Sequence, residues 1–152
     1  MTTAPTERTV TSVVDLLHAA ELTGIRTYKV LGVRVEDDEE RPVEPQQDLQ
    51  VMVRGDANGT ETRVVMVLKT AQADLTAEVG ALYRYDEPLA FTPEIMAEFI
   101  EKVSMMAVFP FLRESIFTTA TRLGIDAPVI GLLRAGDLQL SAPPTDDGAG
   151  AL

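Results

Sequence analysis

Few side chains in this chain are of a type that does bond chemistry. There is one His, His18, and no Cys, which removes thiol nucleophiles, disulfides and thiolate metal sites together. His18 stands beside an apolar helical stripe with no second imidazole to work with, and reads as a helix-edge residue. Five consecutive carboxylates at 36–40 have the charge for calcium. They lack the Gly and the alternating spacing of a calcium loop, so the run reads as a solvated loop. Asp56, Asn58 and Thr60 imitate the first ligands of such a loop, again without the Gly it needs. No Gly-rich phosphate loop follows a strand pattern, and no Ser sits in a nucleophile-elbow setting. The remaining paired acids fall on an exposed helix face, where nothing would raise a pKa for proton transfer. The pattern is that of a non-enzyme needing no cofactor or metal.

Apolar surface is what the chain over-supplies. Residues 105–112 form an eight-residue run that is apolar on every side of a helix, where a small domain needs one stripe. Met105, Met106 and Val108 are therefore expected to meet a partner subunit, and the adjacent methionines suit an adaptable surface. Seven of the eight aromatic residues lie between Tyr83 and Phe117, at the junction of a strand and a long helix.

The elements that must position these residues follow from periodicity. Val10, Val13, Val14, Leu17 and Ala20 recur at helical spacing and predict an amphipathic helix over 10–22, with Gly24 as its stop. From Ile25 the period becomes two, with a phase slip beside Gly32 that predicts a β-bulge. Leu49, Val51 and Val53 mark a second strand, and Asn58-Gly59 a tight hairpin turn. A near-continuous apolar strand over 63–68 follows, then the regular alternation of Leu75, Ala77, Val79, Ala81, Tyr83 and Tyr85. Short connections predict an antiparallel meander of four strands. Thr92-Pro93-Glu94 opens a helix, Pro110 should kink it, and Gly124 ends it. The fold class is α+β, a four-stranded antiparallel meander sheet packed on a long C-terminal helical segment.

Length and charge bound the rest. The 152 residues, 45% of them apolar, suit one domain over 10–140, between a frayed 1–9 and a Pro, Gly and Asp tail at 141–152. Thirteen Lys and Arg against 24 Asp and Glu give a net charge of −11, which repels nucleic acid. No apolar run is long enough to insert in a membrane, and no secretory signal opens the chain, so a cytoplasmic protein is expected.

The order of elements, with Phe109-Pro110-Phe111-Leu112-Arg113-Glu114 in the main helix, resembles the SecB family of protein-export chaperones. Arg122 with Gly124, and then Ala127-Pro128-Val129, match the family's helix end and the segment leading to its last helix. The likeness covers residues 25–133 and is strongest over 106–124.

That resemblance implies a homotetramer, a dimer of dimers, with helices between two outer sheets. It also implies a holdase that works without ATP. Members hold unfolded preproteins in apolar grooves for the SecA motor, and some instead protect the antitoxin of a toxin–antitoxin system. Tyr83, Tyr85, Phe109, Phe111 and Phe117 match the client-lining aromatics, and Glu78 the acidic residue facing the motor. The helix at 10–22, the aromatic-free segment at 130–138 and a tail without Lys, Arg, Cys or His depart from export members. These departures favour an antitoxin client over SecA delivery. The alternative is an oligomeric structural or regulatory adaptor with no client groove.

Overall fold

Leu75, Ala77, Val79, Ala81, Tyr83 and Tyr85 are all buried, and the strand that carries them lies inside a four-stranded sheet. The computed structural model describes residues 6–36, 40–128 and 130. In chain order come β1 (Arg8–Thr9), α1 (Val13–Ala19), β2 (Ala20–Arg34), β3 (Gln46–Asp56), β4 (Gly59–Lys69) and β5 (Ala73–Tyr85). β6 (Leu89–Ala90), α2 (Pro93–Phe99), a π-helical turn (Ile100–Ser104) and α3 (Met105–Leu123) complete the fold. As expected, an antiparallel sheet packs on a long C-terminal helix.

The connectivity differs from a meander. The sheet order is β2-β5-β4-β3, so three hairpin-linked strands are joined by a first strand that pairs with the last, a Greek-key path. The cause lies in the crossing after β2. Arg41 donates to the carbonyls of Thr70 (2.9 Å) and Ala73 (3.2 Å) and to Asp74 Oδ1 (2.6 Å). One guanidinium thus ties this connection, which passes two strand ends on its way to the far edge, to the β4–β5 turn. The fork of a guanidinium suits such multiple acceptance.

Several local expectations are corrected. The helix at 10–22 is only α1, because residues from Ala20 onward pair with β5, beginning at Ala20↔Tyr85. Strand pairing overrides helical spacing there, and Val14 and Leu17 are left exposed while Leu16 and Ala19 are buried. The start is not wholly frayed: β1 pairs in parallel with β6, and Arg8 bridges Asp15 and Glu87. The tail at 141–152 lies outside the described residues. The two-residue turn between β3 and β4 is Ala57-Asn58, with the Asn58 N–H donating to Asp56, and Gly59 already belongs to β4. α3 runs unbroken through Pro110, and the irregular turn lies upstream at Ile100–Ser104.

The β-bulges of β2 fall after Leu22 and after Thr27, not beside Gly32. Gly32 serves the helix instead. A Cβ there would stand 2.4 Å from Thr119 Cγ2 and 2.8 Å from Leu123 Cδ1, so only hydrogen lets α3 rest on β2. Gly32→Ala is expected to push the end of α3 off the sheet and cost about 1–3 kcal/mol, the usual scale of overpacking. Chemical denaturation followed by circular dichroism measures this loss, and an unchanged midpoint contradicts the contact.

Candidate functional site

The apolar run at 105–112 divides by helical rotation. Met105, Val108, Phe109 and Leu112 turn into the core, and Met106 (61% exposed) and Phe111 (45%) turn out, with Phe117 (60%) a further turn and a half along. Met106 and Phe117 are eleven residues apart, which returns them to one line about 16 Å long on the helix. Phe111 and Phe117 are six apart, about 240° round, and stand on different flanks. All three project from a rigid helix that one glycine contact and the Thr62–Ser104 hydrogen bond (3.0 Å) fix to the sheet.

Those two anchors also show how α3 lies. It starts over β4 near Thr62 and ends over Gly32 of β2, crossing the inner face diagonally. A single helix is narrower than four strands, since strands lie about 4.8 Å apart and a helix is about 10 Å wide. The sheet margins therefore stay open on the helix side. Leu22 and Val30 on β2, and Val53 on β3, pair with Tyr83, Ala77 and Thr62 of the buried face, yet are themselves exposed. These three margin residues were missed by sequence reasoning. Leu22 falls within the helix predicted over 10–22, and Val30 and Val53 show only strand spacing; no local signal tells that the apolar face is wider than its cover.

Sequence-predicted residues fall on both sides of this boundary. Tyr83 and Tyr85 share a face as expected, but it is the closed core. Tyr83 meets Phe99 edge to face at 5.0 Å, and Tyr85 meets Phe91 at 6.0 Å. Phe109 is buried with them in the same core. Met105 and Val108 have no exposed surface in the single chain, so neither offers contact area to a partner; Met106 does. Phe111 and Phe117 are the open aromatics. Glu78 faces the outer side of the sheet as expected, but its side chain is only 16% exposed and is paired with Arg63 at 3.3 Å. Among the described residues no cluster of three His, Asp or Glu groups is placed to hold a metal ion.

No protein-family model matches the chain. The SecB-like chaperone SmegB of Mycolicibacterium smegmatis is 33% identical over 127 residues, spanning 84% of each chain. This chain belongs to the SecB-like chaperones. A SecB-like chaperone of Mycobacterium tuberculosis, solved in complex with a ChAD peptide from the HigA1 antitoxin, shares the fold. It superposes with a TM-score of 0.66 at 18% identity, covering 80% of this chain and 92% of that one. SecB-like proteins are chaperones, not enzymes, which agrees with the sparse catalytic inventory. Among the described residues no helix is long and apolar enough to cross a membrane.

The buried tyrosines give this SecB-like chain an alkaline limit. The hydroxyls of Tyr83 and Tyr85 lack hydrogen-bond partners, and burial pushes both pKa values up, Tyr85 from 10.0 to about 12. The folded state keeps a proton that the unfolded chain releases, so stability is full below pH 10.0 and falls as pH rises through about 12. Tyr85→Phe should lessen that fall and leave stability at pH 7 unchanged or slightly higher, because it removes an unsatisfied buried oxygen. Tyr83→Ala and Tyr85→Ala should each cost about 3–5 kcal/mol as core truncations. Urea denaturation at pH 7 and at pH 11 checks both; a well-folded, equally stable double Ala variant contradicts the core placement.

Proposed function

We propose that this protein is an ATP-independent holdase of the cytoplasm that binds an antitoxin-type client in apolar surface flanking α3. In this reading it acts as a homotetramer, a dimer of dimers. The observation that carries the reading is the apolar surface left open around a helix too narrow for its sheet: Met106, Phe111 and Phe117, with Leu22, Val30 and Val53 on the margins. An unfolded client offers apolar side chains and backbone without fixed polar pairing, and such surface answers it. The chaperone of similar fold solved with an antitoxin peptide supports this choice of client.

Assembly and client binding are assigned to different flanks of α3. The straight line of Met106 and Phe117 suits packing against the same helix of a second copy. Phe111 and the sheet margins suit an extended chain. Phe117, which the family resemblance places among the client aromatics, thus moves to the assembly line. Delivery to SecA has less support, because Glu78 is mostly covered and already paired with Arg63.

Light scattering should give a tetramer at micromolar concentration, and Met106→Glu with Phe117→Glu should lower the mass to dimer or monomer. A charge in a dry interface without a partner is costly. Phe111→Ser with Val53→Ser should keep the mass and weaken suppression of aggregation of a denatured client, measured without ATP. A monomeric wild-type chain overturns the assembly, and undiminished holding by the second variant overturns the client surface.

A further inference from the structure

The outer face of the sheet, away from α3, carries a second surface that the client reading does not use. Solvent faces of two-layer folds are ordinarily polar. Here Leu31 and Val33 are exposed (46% and 51%), and Leu31 continues across the sheet through Thr76 to Val67, with Asp48 ending the row at the β3 edge. Above this apolar row lie three cross-strand rows with an inverted charge. One row is Met52–Arg63–Gly80–Arg26; its neighbours add Arg54 with Glu61, and Glu78 with Lys29. Four cations stand against two carboxylates in a chain whose net charge is −11.

The carboxylates are already engaged. Arg63 donates to Glu61 (3.3 Å) and Glu78 (3.3 Å), and its guanidinium lies 3.5 Å from the centroid of the Tyr28 ring. Tyr28 in turn donates its hydroxyl to Glu61. The bulge after Thr27 turns Tyr28 to this face, and Gly80 seats it: a Cβ on Gly80 would come within 2.9 Å of the ring. Arg26, Lys29 and Arg54 are left without a carboxylate within 4.0 Å among the described residues. Lys29 stands directly across from Glu78 and still makes no pair, since Arg63 occupies it.

We infer that this outer face docks a polypeptide segment of a partner protein that carries carboxylates beside apolar side chains. The held Tyr28–Arg63 stack is a rigid amphipathic platform that loses little side-chain freedom on contact. The three unpaired cations supply the charge complementarity, acting within a Debye length despite the acidic remainder of the molecule. The apolar row through Leu31 supplies area to bury. The occupant is thus opposite in charge to one recruited by a free Glu78.

The test uses a fluorescent peptide of about twelve residues with Leu and Glu at successive odd positions and Ser between, so that both share one face of an extended chain. A second peptide has Lys for Glu, and a third has Ser for Leu. Anisotropy should show the Leu/Glu peptide binding about tenfold tighter than the Leu/Lys peptide, the scale of two or three exposed ion pairs, and weakening with salt. Amide shifts in an NMR titration should fall on Val65, Glu78 and Gly80. Arg26→Glu with Lys29→Glu should reverse the charge preference while leaving mass, thermal midpoint and client holding unchanged, which separates this surface from the groove. Equal or tighter binding of the Leu/Lys peptide overturns the inference, as does an unaltered preference in the double variant. Shifts confined to α3 and the helix-side margins assign the peptide to the client groove and overturn it too. Loss of mass in the double variant makes the face an interface between copies and likewise overturns it.

Discussion

The contact between α3 and the inner face of β5 is the constraint on which the rest depends. β5 is an inner strand of the sheet and the one on which the long helix packs most extensively, and its seven inward residues are buried throughout. Burying each large aliphatic side chain contributes about 1.5–3 kcal/mol, so this seam supplies a large share of the chain's stabilisation. Beside α3, Leu16 and Ala19 of α1 and Phe99 of α2 close the same core, and together they leave Leu22, Val30 and Val53 open at the margins. What remains open on either side is a consequence of that geometry, not of an excess of apolar residues on the surface.

The same seam fixes the position of the open face of α3. Thr62 and Ser104 satisfy one another inside the core, and Gly32 lets the far end of the helix settle on β2. Exposed Met106, Phe111 and Phe117 are thus carried on an element held at both ends. The π-helical turn at Ile100–Ser104 joins α2 to α3 before the apolar run begins. Pro110, within the second turn of α3, removes only the donor that would have met the Met106 carbonyl, and the helix continues.

The two faces of the sheet divide the labour. Inside, closed packing gives stability in spite of the orphaned tyrosine hydroxyls. Outside, one guanidinium collects two carboxylates and an aromatic ring, freeing its neighbours' charges. Arg41 makes a comparable cluster at the sheet end, where it ties the β2–β3 connection to the β4–β5 turn. Both clusters use the planar fork of Arg to join residues distant in sequence.

Period and punctuation in the sequence determined the elements: the alternation of 75–85, the Thr92-Pro93 helix start, the Gly124 stop and the four-strand, long-helix composition. They determined the absence of a catalytic constellation, and the six-residue stretch from Phe109 pointed to the SecB-like family. Tertiary structure decided which apolar residues are covered. Tyr83, Tyr85, Phe109, Met105 and Val108 read from sequence as contact surface and are buried in the folded chain, whereas Leu22, Val30 and Val53, which the sequence did not single out for contact, stand open. Periodicity reports which residues share a face; it carries no information on how wide the opposing element is. Strand order escaped for a related reason, because it rests on the long-range pairing of β2 with β5, and neither strand signals the other along the chain.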